Sequence, residues 1–99
     1  MFGAQAPASA RLDMTIARGA IVRQLTAAFP GLRQPEAGVF CGDHLGCRWS
    51  ARLQSAPPVR LGPVVLERWL VDIALLTPDA ASRTLWWQCF NAHFQRGGG

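Results

Sequence analysis

The chain has 99 residues, enough for one domain with a single core and close to the size at which much apolar surface stays uncovered. Apolar residues make up 49% of it and charged ones 16%, which excludes an intrinsically disordered chain; Glu67, Arg68 and Asp72 interrupt the longest apolar run, which excludes a membrane-spanning helix. All 10 basic residues are arginine, so Schiff-base and P-loop lysine chemistry are excluded, and the net charge of +4 is scattered from Arg11 to Arg96 without the cluster that marks a nucleic-acid interface.

Residues 1–11 have neither the basic start nor the apolar middle of a secretory signal and read as a flexible N-terminal arm. Without a signal, an odd count of three cysteines points to thiols in a reducing compartment. Asp13 or Thr15 can cap a helix that runs to about Phe29, with Met14, Ala17, Ile21, Leu25 and Ala28 on one stripe; Pro30 and Gly31 stop it. Residues 32–37 form a connector. Val39, Phe40 and Cys41 then read as a short strand, and residues 42–46 carry turn chemistry. Next, Cys47, Trp49, Ala51 and Leu53 alternate with Arg48, Ser50, Arg52 and Gln54, the pattern of an antiparallel strand with one wet face. Residues 55–63 contain prolines at three positions that cannot donate to a ladder, so they are expected to form an exposed loop or a rim arm.

Residues 64–81 organise the rest. Val65, Trp69, Val71, Ile73 and Leu75 share one side of a pleat, interrupted only by Glu67, while Leu66, Arg68, Leu70 and Asp72 share the other. A helix fits the same residues, because Val65, Leu66, Trp69, Leu70, Ile73 and Leu76 also recur at helical spacing. Thr77, Pro78 and Asp79 decide for a strand: they form a cap, a first-turn proline and a first-turn carboxylate, so a new helix starts directly after Leu76. That helix runs from Pro78 to about Gln95. Ala81, Leu85, Cys89 and Ala92 form one stripe, and Trp87, Phe90 and Phe94 form a second one far round the helix, leaving Thr84, Gln88, Asn91 and Gln95 for water. One stripe can cover the sheet. The other, Trp87, Phe90 and Phe94, needs either the first helix or another molecule to cover it, and is the candidate interface with another copy of the chain. Residues 96–99 read as a flexible glycine tail.

Every cysteine and histidine falls in one of two windows, Cys41, His44 and Cys47 or Cys89 and His93. These are the candidate zinc ligands, since a turn and one helix face can together supply a tetrahedral set. The alternative reading makes Cys41, Cys47 and Cys89 small apolar residues of the fold, with no metal or other cofactor. A cysteine nucleophile with a histidine base can be composed from the same residues, but no local signature of a catalytic cysteine, a serine elbow or a phosphate loop is present, so no catalytic residue is assigned.

The order of parts resembles the tail-terminator or tail-completion proteins of long-tailed bacteriophages. The resemblance lies in the opening helix with its Pro30-Gly31 stop, GVFCGDHLGCRWSARL, SAPPVRLGP and LERWLVDIALLTPDAAS, and covers residues 12–95. It implies a ring-forming virion protein at the head–tail junction, without catalytic residues, found in the virion or the host cytoplasm and partnered by its own copies and other virion or host proteins. Members commonly carry a further strand after the last helix, which is missing here. The expectation is therefore one α+β domain over residues 12–95: an N-terminal helix, a three- to four-stranded antiparallel sheet, and a C-terminal helix packed on the sheet. The main alternative is a zinc-stabilised Cys/His module or an inhibitor-like protein that docks on a protein or nucleic acid.

Overall fold

The computed structural model describes residues 6–97, with side chains from residue 6 to residue 94. Alternation of small and large apolar residues with arginines builds the sheet. Cys47, Trp49, Ala51 and Leu53 are buried on one face of a long strand, β4 (Cys47–Leu61), while Arg48, Arg52 and Gln54 are exposed on the other. Its neighbour β5 (Val64–Leu75) buries Val71, Ile73 and Leu75 in the same way, so the strand reading of this stretch holds. A hairpin joins β4 to β3 (Val39–His44), and β3 pairs with a short β2 (Arg33–Glu36) where a plain connector was expected. The fifth strand is β1 (Ser9–Met14), and the antiparallel sheet runs in the order β1-β5-β4-β3-β2. The chain is thus α+β, with five strands instead of three or four.

The first strand corrects the reading of the N-terminus. Residues 9–14 pair with Ala74–Trp69 of β5, so Arg11 belongs to the sheet and Asp13 and Met14 precede the helix instead of opening it. Leu12 and Met14 enter the core, while Arg11 forms an ion pair with Asp72 at 2.7 Å and Asp13 one with Arg68 at 2.6 Å on the open face. The segment before the strand is also held: the Trp87 indole N–H donates to the Pro7 carbonyl at 3.0 Å and the Arg83 guanidinium to the Ala6 carbonyl at 3.1 Å. The rest of the expected arm, residues 1–5, lies outside the described residues.

Helix α1 (Arg18–Ala28) keeps the predicted stripe of Ile21, Leu25 and Ala28 but starts later, with Ala17 as its cap residue. Alanine offers no capping oxygen. The Glu67 carboxylate from β5 supplies one, accepting the Arg18 backbone N–H at 3.0 Å. Helix α2 (Ala80–Gly97) is capped by Asp79, whose carboxylate accepts the Ser82 N–H at 3.2 Å and hydroxyl at 2.7 Å. Thr77, the predicted cap, is engaged elsewhere. Its hydroxyl accepts the Arg48 N–H at 2.9 Å and donates to the Gly46 carbonyl at 3.3 Å, tying the end of β5 to the β3–β4 turn. The helix extends through Gly97, two residues into the predicted tail; residues 98 and 99 lie outside the described residues.

Both helices cover one face of the sheet, and the core between them is aromatic. Phe29 stacks on Trp86 with ring centroids 5.0 Å apart, Trp86 stacks on Phe90 at 5.2 Å, and Phe90 stacks on Phe94 at 4.1 Å. Trp49 from β4 closes the group, 5.8 Å from Trp86. Of the four helical positions assigned to water, Thr84 and Gln88 are exposed and Asn91 is buried, while the side chain of Gln95 lies outside the described ones. No helix among the described residues is long and apolar enough to cross a membrane.

Candidate functional site

The aromatic stripe expected at an interface is inside the protein. Trp87, Phe90 and Phe94 are 2%, 0% and 3% exposed, packed against Trp86, one another and the core. The other stripe faces outward: Ala81, Leu85 and Ala92 are exposed and Cys89 is half-buried. The physical reason is size. Both arcs of α2 are apolar, and the larger rings fill the volume between α1 and the sheet, which the small residues could not fill without leaving voids. These rings therefore offer no surface to a partner.

The candidate zinc ligands are also dispersed. Cys41 sits on the open face of β3, half-buried, with the Arg33 guanidinium 3.9 Å from its sulfur. Successive residues of a strand point to opposite faces, so His44, three residues on, turns toward the helices, where its ring edge meets Phe29 at 5.2 Å. Cys47 is fully buried beneath it, and burial pushes its thiol up, away from the thiolate. Cys89 donates to the Ala28 carbonyl at 3.2 Å; burial raises its thiol as well. His93 Nδ1 lies 2.9 Å from the Cys89 carbonyl oxygen one turn back. Among the described residues no three His, Cys, Asp or Glu side chains converge on a point that a metal ion could occupy. Neither raised thiol is prepared as a nucleophile.

The feature that stands apart is the outer half of the β4–β5 hairpin. On one side β1 stops where Met14 pairs with Trp69; on the other, the β3 ladder ends where Val39 pairs with Arg52. Beyond those points β4 and β5 continue as a two-stranded ribbon to a turn at Gly62 and Pro63, pairing only with each other among the described residues. Gly62 takes a φ of +60°, which a residue with a side chain would adopt only with strain. The ribbon accounts for much of the elongation of the molecule, whose extents are 46 × 28 × 20 Å. Here Pro57 and Pro58 fit a strand after all, because they fall where the β4–β5 ladder is interrupted and the outer edge of β4 has no partner to donate to; Pro63 lies in the turn.

Pro57 and Pro58 also change what the arm displays. The pairing runs from Ala56 with Arg68 to Val59 with Leu66, with two residues between on β4, Pro57 and Pro58, against one on β5, Glu67, so β4 carries a bulge. One extra residue inverts the pleat. Val59 and Leu61 therefore stand on the open face with Leu66 and Val64, their cross-strand partners, although Trp49, Ala51 and Leu53 of the same strand face the helices. Over the body of the sheet that open face is polar, with Arg11, Asp72 and Arg52 in one cross-strand row. Over the arm it becomes apolar. Leu61 is 60% exposed, Val64 51%, and Val65, on the opposite face of the ribbon, 53%.

The base of the arm is braced. Glu67 accepts the Trp69 indole N–H at 3.0 Å in addition to the α1 N–H, and these two donors hold its carboxyl below the ordinary glutamate range. Arg68 grips Asp13 through two nitrogens, which lowers the Asp13 carboxyl and ties the arm's root to β1. Between residues 55 and 66 the only charged side chain is Arg60. The arm is thus an apolar ribbon with a single cation near its tip.

Compared with protein-family models, curated proteins and solved structures, the chain has no match.

Proposed function

We propose that this chain is a structural assembly subunit, working by association with further copies of itself and with other proteins through the β4–β5 arm. The observation that carries this reading is the arm's apolar face: Val59, Leu61, Val64 and Leu66 stand together on the side of the ribbon opposite to the helices. A two-stranded ribbon is at best marginally stable alone in water, and an apolar cluster on it gains only when another surface covers it. The braced root adds to this, because a contact held in a fixed direction loses less freedom when a neighbour binds. A ring-forming connector of the tail-terminator kind, at a bacteriophage head–tail junction, is the role that the sequence resemblance would give such a subunit.

Sedimentation velocity of the purified chain tests the proposal. The wild-type chain should sediment as more than one copy at micromolar concentration, and Leu61→Ser with Val64→Ser should reduce it to one. A docking or inhibitor protein would instead stay a single copy with its arm bare. Its arm variants would lose only a foreign partner.

A further inference from the structure

Resting on the assembly reading, a second observation identifies the surface that receives the arm. Large exposed apolar side chains among the described residues form two groups at opposite ends of the molecule. Leu61, Val64 and Val65 surround the arm's tip. Leu45 and Leu76, 67% and 61% exposed, stand at the far end of the same strands, with Leu85 in the second turn of α2. Leu45 occupies the β3–β4 turn, and Leu76 is held beside it: its N–H donates to the Arg48 carbonyl at 2.7 Å, and Thr77 bonds to Gly46. The strand β4, at 15 residues, separates the two groups by nearly the full length of the molecule.

We infer that the arm tip of one copy seats on the Leu45–Leu76 end of the next, a head-to-tail contact between two different surfaces of one chain. An arm-to-arm contact would cover the tips and leave Leu45 and Leu76 in water; end-to-end seating covers both groups with one interface. Charge points the same way. The tip carries Arg60 alone, whereas the receiving end carries the exposed carboxylates of Asp43 and Asp79 beside one exposed guanidinium, that of Arg48. Asp43 is only loosely engaged, 3.9 Å from Arg48, and Arg83 at that end is already spent on the carbonyls of Ala6, Thr77 and Pro78. Arg60 can therefore meet Asp43 across the contact. Contacts between unlike surfaces repeat from copy to copy, closing into a ring or running on as a filament.

Two variants and their mixture test this by sedimentation velocity. The tip variant is Leu61→Lys with Val64→Glu, which removes apolar surface while setting opposite charges on a cross-strand pair. The end variant is Leu45→Asp with Leu76→Ser; Leu45 has a φ of +49°, which aspartate tolerates. Each should melt as the wild type does and sediment as one copy. Mixed in equal amounts they should form a dimer and stop there, since one intact tip then meets one intact end. Arg60→Glu should weaken wild-type assembly, and adding Asp43→Arg to the same chain should restore it. An end variant that assembles like the wild type, or a mixture that gives no dimer, would overturn the head-to-tail contact and leave assembly through the arm standing. A wild-type chain that sediments as one copy would remove both.

Discussion

The two halves of the β4–β5 hairpin share strands and pairing, yet their surroundings differ completely. From Trp49 to Leu53 and from Val71 to Leu75 the apolar residues alternate into a core closed by Trp86, Phe90 and Phe29. From Val59 to Leu66 a comparable density of valine and leucine stands outside that core, with Leu61, Val64 and Val65 more than half exposed. Backbone pairing is the same in both, so the difference isolates what side-chain burial contributes: the inner half is held by its packing, and the outer half is held by the inner one. A bulge of one residue at Pro57 and Pro58 separates them and turns the apolar residues onto the face that has no helices.

Substitutions sharpen this contrast, and the largest effects belong to the inner half. Trp86→Ala should cost on the order of 3–5 kcal/mol, since the ring is fully buried among Phe29, Trp49, Trp87 and Phe90. Chemical denaturation would show it as a lowered midpoint. Thr77→Val keeps the shape and deletes the two hydrogen bonds that tie β5 to the β3–β4 turn, for a loss of about 1 kcal/mol in the same assay. On the arm, Leu61→Ser with Val64→Ser should change monomer stability by no more than about 0.5 kcal/mol per site, because both are more than half exposed and stand outside the core. A large loss there would mean that the arm is built into the core.

The smallest effect is expected at the arm's root, and it depends on pH. Glu67 is held below the ordinary glutamate range by the N–H of Arg18 and then by the indole of Trp69, so it stabilises the fold while ionised. That contribution is complete above the unfolded-state value and fades as pH falls through the lower folded-state value. Glu67→Gln should therefore melt slightly below the wild type at neutral pH and match it in acid. Asp13 and Asp72, lowered mainly by their hydrogen bonds to Arg68 and Arg11, lose their contributions in the same direction, so wild-type melting should also fall with acid. A Glu67→Gln difference that grows toward low pH would contradict this assignment of the cap.

The inner half was legible in the sequence because half-buried antiparallel strands write period two into it, as residues 47–54 do. The cap chemistry at residues 77–79 correctly resolved strand from helix in residues 64–75, although Asp79 and not Thr77 is the residue that caps. Strand β1 was hidden because Met14 fits both a pleat and the stripe of α1. Its pairing is decided by Asp72 and Arg68, which lie 61 and 55 residues from Arg11 and Asp13. The buried face of α2 was misassigned because both arcs are apolar and ring size, a property of the space between α1 and the sheet, chooses between them. The arm was half legible. Its prolines marked an exposed rim, but only the pairing shows a bulge that gathers Val59, Leu61, Val64 and Leu66 on one face.

Backbone amide exchange along β4 and β5, followed as the protein is diluted, tests most directly whether the outer half depends on a neighbour. Amides of residues 59–61 and 64–66 should be protected at high concentration and exchange freely at low concentration, while those of residues 49–53 and 71–75 stay slow throughout. Arm amides that exchange at one rate at every concentration, fast or slow, would contradict a partner-covered arm and with it the assembly role.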